Sequence, residues 1–222
     1  MSSLLNELGT IFQAIASLDW FDISDALNSD AAYLFGAIVV LVGGYVFMLA
    51  LRSIPFLDKY FERTVLVGTY LTIATVIFVE VIRRFVFQVQ APWSTTLPPY
   101  LFLVMAWAGC AYNTKLRSHL SFSELRLKLP RKGQLACLFL DAVLWLGFSL
   151  IVIVTSLKQT ANSGANFQIL LGTDNVMQWW FYAVVPFSWL ILCARIMENL
   201  AEDIERYRND EPLIQLSAIG GD

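Results

Sequence analysis

Five stretches of this chain are apolar over 17 residues or more: Ala31–Leu51, Thr64–Phe87, Pro98–Thr114, Gln134–Ser156 and Met177–Met197. A helix crossing the hydrocarbon core needs about 20 mostly apolar residues, with about 17 as a lower limit. In lipid every backbone N–H and C=O must be satisfied within the span, so helices are the expected form; no period-2 alternation suggests a barrel. The sequence therefore predicts an all-α integral membrane bundle of five transmembrane helices. Composition agrees: 57% of the residues are hydrophobic and 15% charged, against roughly 45–50% and about 25% in soluble domains. A soluble enzyme, a nucleic-acid binder and a disordered chain are all disfavoured.

The placement of Lys and Arg gives an orientation. Arg52, Lys59 and Arg63 lie between spans one and two. Lys115, Arg117, Arg126, Lys128, Arg131 and Lys132 lie between three and four, and Arg195, at the end of span five, is followed by Arg206 and Arg208. These twelve fall on one side, and Lys158 stands alone on the other; Arg83 and Arg84 end span two. The pattern predicts an N-terminus outside, a cytoplasmic C-terminus and an odd number of crossings. Residues 1–30 hold Glu7, Asp19, Asp22, Asp25 and Asp30 and no Lys or Arg, so no cleaved signal is expected, since such signals open with positive charge.

Outside the spans, Leu4–Leu18 carries an apolar stripe at helical spacing. It reads as an amphipathic helix on the outer membrane surface or against a partner, with a flexible leader as the plainer alternative. Thr160–Val176 reads as a short interfacial helix. Glu198–Asp210 reads as a solvated continuation of span five before a disordered end. Trp93, Trp107, Trp145, Trp179, Trp180 and Trp189 mostly fall near the ends of spans, and Trp93, Trp179 and Trp180 read as an interfacial belt. Ala32, Gly36 and Gly43 form a small-residue stripe able to admit a close neighbour.

Reactive groups are scarce. His119 is the single histidine, which excludes a two-histidine haem site, and no zinc-ligand spacing exists. Cys110, Cys137 and Cys193 stand singly in apolar runs. Phosphate-cradling loops and serine nucleophile elbows are absent. The chain is expected not to be an enzyme and to need no cofactor. Ionisable residues inside spans are functional candidates. Glu80 precedes Arg83 and Arg84 at i+3 and i+4, a spacing for an ion pair that either self-neutralises at the interface or locks onto a partner. Asp141 stands alone roughly 10 Å into span four, within reach of water or of a partner's cation. One such acid without broken, repeated helices suits a helper rather than a translocating subunit.

Residues 80–122 carry a resemblance. Glu80–Phe87 (EVIRRFVF), then Pro92-Trp93, Leu101–Tyr112 (LFLVMAWAGCAY) and Arg117-Ser118-His119 resemble the small, Q-type (DctQ-like) membrane subunit of TRAP transporters, the tripartite ATP-independent periplasmic systems. Arg84-Phe85-Val86-Phe87, Pro92-Trp93, Gly109 and His119 match positions of the family pattern, and Trp179–Tyr182 with Pro186 is similar to its last helix. The likeness covers about residues 60–200. Ser94-Thr95-Thr96-Leu97 depart from it, because the family usually has acids after the Trp. The family commonly has four spans. Here residues 1–57 would add a leader, an amphipathic helix and one extra transmembrane helix to a four-helix domain at 58–200, followed by a cytoplasmic tail at 201–222.

The resemblance implies a bacterial inner-membrane location and two partners. One is a large M-type subunit that carries substrate and sodium ions; the other is a periplasmic substrate-binding protein. This chain would brace the first and help dock the second during sodium-driven uptake of an organic acid or similar solute. Glu80, Arg83, Arg84, Trp93, His119 and Asp141 are then candidates for the subunit or lipid interface. Gln88, Gln90, Lys158 and Asp174 are candidates for docking the binding protein. An anchor subunit of an unrelated membrane complex, such as a respiratory enzyme, stays open at this point.

Overall fold

The computed structural model describes residues 2–117 and 126–214, and among them the chain is mostly helical, with loops and one isolated β-bridge between the helices. Its helices are α1 (Ser2–Ser17), α2 (Trp20–Leu27), α3 (Ala31–Ser53), α4 (Pro55–Phe85), α5 (Leu97–Lys115), α6 (Arg131–Ala165) and α7 (Trp179–Arg208). The five expected spans are each met by a helix. Four of these, in α3, α4, α6 and α7, are long and apolar enough to cross a membrane. α5, with 19 residues or about 28 Å of rise, is shorter and less apolar. It packs between α4 and α7.

Proline sets several boundaries. Ile54 leaves the helical region (φ −123°, ψ 88°) before Pro55 opens α4, because the ring of a proline crowds a helical residue before it. Pro98 and Pro99 sit in the first turn of α5, where their missing N–H costs no helical bond. In α7, Pro186 cannot donate to the carbonyl of Tyr182 and crowds it. The helix accordingly divides at Ala183 into Trp179–Tyr182 and Val184–Arg208. Asp19 caps α2, its carboxylate accepting from the Phe21 N–H at 2.8 Å.

Several expectations change. α4 starts at Pro55 rather than Thr64, so Asp58 and Glu62 belong to its first two turns. α6 runs on to Ala165. The short helix expected over Thr160–Val176 does not form: residues 166–178 are a loop closed by an antiparallel bridge between Ile169 and Met177. The amphipathic α1 forms and packs on α2 and α3 through Ile11, 1% exposed, while Leu4, Leu5, Phe12, Ile15 and Leu18 of its apolar stripe stay exposed. The segment after span five is not simply solvated, since Asp203 is 4% exposed; residues 215–222 lie outside the described ones.

The core explains the tryptophans. The buried Trp189 ring has Trp107, Phe148 and Trp145 at 5.3, 5.4 and 6.5 Å, so these tryptophans knit α5, α6 and α7 together. Trp179 meets Trp20 at 4.7 Å. The small residues are contact points. A methyl group at Gly36 would stand 2.3 Å from Val154 Cγ2 on α6. At Gly43 and Gly44 it would stand 3.2 and 3.1 Å from Leu190 and Cys193 on α7. Between them, Val39–Gly43 is one π-helical turn. The extra residue of such a turn rotates the face that follows, and α3 passes from packing on α6 to packing on α7.

Candidate functional site

The two ends of the bundle differ. One end, which we term the basic end, gathers the start of α4 and the last turns of α3, α5 and α7. Arg195 of α7 is 1% exposed, yet its guanidinium is fully engaged. Nε and Nη2 donate to Glu62 Oε1 at 2.8 and 2.6 Å. Nη1 binds Glu198 at 2.8 Å and also the Asp58 carboxylate, and Nη2 reaches the Asp58 carbonyl at 3.1 Å. Arg52 closes on Glu198 at 3.3 Å and Lys115 on Asp58 at 3.4 Å. Arg52, Lys115 and Arg195 thus balance Asp58, Glu62 and Glu198. A charge taken out of water is tolerated only when paired and hydrogen-bonded in this way.

Two further arginines tie the rest of this end together. Arg117 pairs with Asp203 at 2.5 Å and Glu202 at 3.1 Å and donates to the Asn199 carbonyl at 2.9 Å. Arg131 binds Asp210, donates to the carbonyls of Arg206, Tyr207 and Glu211, and lies 5.3 Å from the Tyr207 ring. It thereby satisfies the free carbonyls at the C-terminus of α7. Asp141, read from the sequence as alone, is held by Arg126 at 2.6 Å. His119 lies outside the described residues.

At the other end two loops join. Pro92–Ser94 is a single 3-10 turn with Trp93 half-buried in it. The Thr96 hydroxyl donates to the Leu171 carbonyl at 2.7 Å. Gly172, at φ +82°, passes so close to the Pro92 backbone that a Cβ would stand 2.4 Å from its carbonyl carbon. α2 caps the same end: a Cβ at Gly164 would stand 2.5 Å from the Trp20 ring. Gln88 (φ +54°), Gln90 and Asp174 are exposed on the joined loops. Lys158 is not in a loop. It stands on α6 with its ammonium 5.7 Å from the Tyr33 ring.

The expected pairing of Glu80 with Arg83 and Arg84 does not occur. The Glu80 carboxylate accepts the Ala91 N–H at 3.0 Å and so folds the loop back onto its helix. Neither arginine has an ion-pair partner among the described residues, and Arg84 is exposed. Around them Phe85, Val86 and Phe87 are 77%, 68% and 66% exposed. Sequence reading missed Glu62 and Arg195. Asp58 and Glu62 at i, i+4 behind Pro55, and Arg195 and Glu198 at i, i+3, are the signal that was present.

A family model described as "Tripartite ATP-independent periplasmic transporters, DctQ component" matches residues 73–206. The chain belongs to the DctQ family. None of the curated proteins compared matches it. The DctQ match runs from within α4 to nearly the end of α7. It takes in Arg195, Glu198, Arg117 and Asp203 and leaves out Arg52, Asp58 and Glu62. In this DctQ subunit, therefore, the N-terminal region is fastened to the family domain by charge at one end and by the glycine contacts of α3 along its length.

Proposed function

We propose that this chain is the small membrane subunit of a TRAP transporter, bracing the large M-type subunit and helping to dock the periplasmic substrate-binding protein during sodium-driven uptake of an organic acid or similar solute. Family membership supports the transporter role. The observation that carries the bracing role is the outer face of α4. None of the most apolar stretch of this helix is buried in the chain, and Tyr70, Leu71, Phe78 and Phe85 are exposed along it. A contiguous apolar face of that size calls for lipid or a protein partner. The sodium ions belong, in this reading, to the large subunit.

The positive-inside rule puts the basic end in the cytoplasm of a bacterial inner membrane and α1 and α2 in the periplasm, with five crossings in all. The joined loops carrying Gln88, Gln90 and Asp174 then face the binding protein. Arg83, Arg84 and Trp93 face the large subunit or lipid headgroups.

Co-purification tests the central claim. The tagged chain is expected to bring down a larger, many-span membrane protein, and the isolated chain in liposomes is expected to show no solute uptake. Uptake by the chain alone would overturn the reading. Arg84→Glu is expected to lower recovery of the large subunit by about tenfold, equivalent to about 1.4 kcal/mol; unchanged recovery would reduce Arg84 to a headgroup contact. A periplasm-active reporter fused to the N-terminus is expected to be active. Activity of a cytoplasmic reporter at that position would break the five-crossing arrangement.

A further inference from the structure

α2 stands at the end of the bundle opposite the basic one, and it is firmly seated there. It packs on α1, α3 and α6, Leu27 is buried, and the Trp20 ring lies 4.7 Å from that of Trp179. The face it leaves outward is Phe21, Asp22 and Asp25, all exposed. Phe21 and Asp25, at i and i+4, lie one above the other on a helix.

Phe21 belongs to an apolar patch. Its ring meets Phe167 at 6.0 Å, and Leu18 precedes it by three residues. Phe21, Phe167 and Leu18 are 58%, 63% and 79% exposed. Phe167 closes α6: its N–H donates to the Gly164 carbonyl at 3.0 Å, and the next N–H, of Gln168, to the Ser163 carbonyl at 3.1 Å. That closure needs a left-handed residue, usually glycine. Here Phe167 takes it at φ +49°, and Leu18 follows α1 at φ +55°. At both places, where glycine fits the backbone best, the chain carries a large apolar side chain and leaves it exposed. A cluster of this kind marks an interaction surface.

Charge decides what covers the patch. Asp19, Asp22, Asp25 and Asp30 are exposed on and beside α2, and no Lys or Arg occurs before Arg52. None of these four carboxylates is in an ion pair among the described residues. Lys158 is engaged with the Tyr33 ring, and Arg83 and Arg84 belong to α4, which α2 does not touch. Carboxylates are repelled by the anionic surface of a bilayer. They complement a protein face whose Lys and Arg surround an apolar centre, the apolar core and polar rim of a specific interface. We propose that Leu18, Phe21 and Phe167, with Asp22 and Asp25 beside them, dock a periplasmic protein through an apolar patch ringed by Lys and Arg. Resting on the transporter reading above, that protein is the substrate-binding protein. Leu18, Phe21 and both acids precede the family match and Phe167 lies within it, so the N-terminal region and the family domain build this surface together.

The test uses the intact membrane complex in vesicles, with uptake measured against the concentration of the transporter's own purified substrate-binding protein. Phe21→Ser is expected to raise the half-saturating concentration at least tenfold while the rate at saturation is kept; should that chain fail to fold, Phe167→Ser tests the same patch. Asp22→Lys with Asp25→Lys is expected to raise it at least tenfold too. Added potassium chloride at fixed sodium is expected to raise it for the unaltered complex and not for this double variant, since rim charges act through salt-sensitive association. A benzophenone photo-crosslinker in place of Phe167 is expected to capture the substrate-binding protein. Capture of lipid alone would place the patch in the bilayer and overturn the proposal. Half-saturation unmoved by all the variants, with uptake still dependent on the substrate-binding protein, overturns the proposal and leaves the transporter reading standing. Uptake that does not depend on that protein overturns both.

Discussion

A subunit carrying Arg195→Met is expected to lose about 3–5 kcal/mol of stability and to fall to a small fraction of its normal level in the membrane. The substitution preserves length and apolar bulk, so the packing of α7 changes little. It strands Glu62, which is 2% exposed and depends on that guanidinium, and it leaves Asp58 to Lys115 alone. Breaking one side of a buried pair costs far more than the pair is worth, because the remaining charge has neither water nor a partner. Arg195→Lys keeps the charge but loses the fork that serves three carboxylates at once and is expected to fall between. The decisive comparison is the double substitution Arg195→Met with Glu62→Gln. Removing both charges is expected to restore a substantial part of the loss, read as thermal unfolding in detergent. Additive losses in the double variant would mean that the two residues do not act as a pair.

Gly172→Val is expected to abolish uptake while leaving the membrane complex intact. Two independent penalties meet at this residue. A β-branched side chain at φ +82° is strained wherever it stands. Its Cβ would also meet Pro92 and Trp93 backbone atoms at 2.4–2.6 Å, which have no rotamer into which to retreat. The loops must therefore part, and the Thr96–Leu171 hydrogen bond is lost with them. If these loops form the docking surface, transport in reconstituted vesicles fails while co-purification with the large subunit is unaffected. Loss of the large subunit as well would place Gly172 in that interface instead.

Much of this architecture was legible in the sequence, and what was not has a physical reason. The long helices are visible because lipid imposes a length and an apolarity that can be counted along the chain. The Glu80–Arg84 motif was found but misread: its spacing permits an ion pair, yet the Ala91 N–H, exposed by the turn after α4, takes the carboxylate. The tryptophans near Trp189 look interfacial by position and are core by geometry. The basic end was read as a count of cations, because acids contribute little to orientation. That count hides the pairing of Arg195 with Glu62, 133 residues apart, which only the meeting of α4 and α7 creates. The same blindness made Asp141 look alone when its partner Arg126 waits in the segment before α6.

The order of synthesis gives that pairing a consequence in time. Asp58 and Glu62 leave the ribosome long before Arg195. At about 5–20 residues per second, the 133 residues that separate Glu62 from its partner correspond to a wait of roughly 7–27 s. Meanwhile α4, with 31 residues or about 46 Å of rise against a hydrocarbon core of about 30 Å, is long enough to keep its first two turns among the headgroups. Insertion of α7 ends the wait, so the last helix made is also the one that allows α4 to settle.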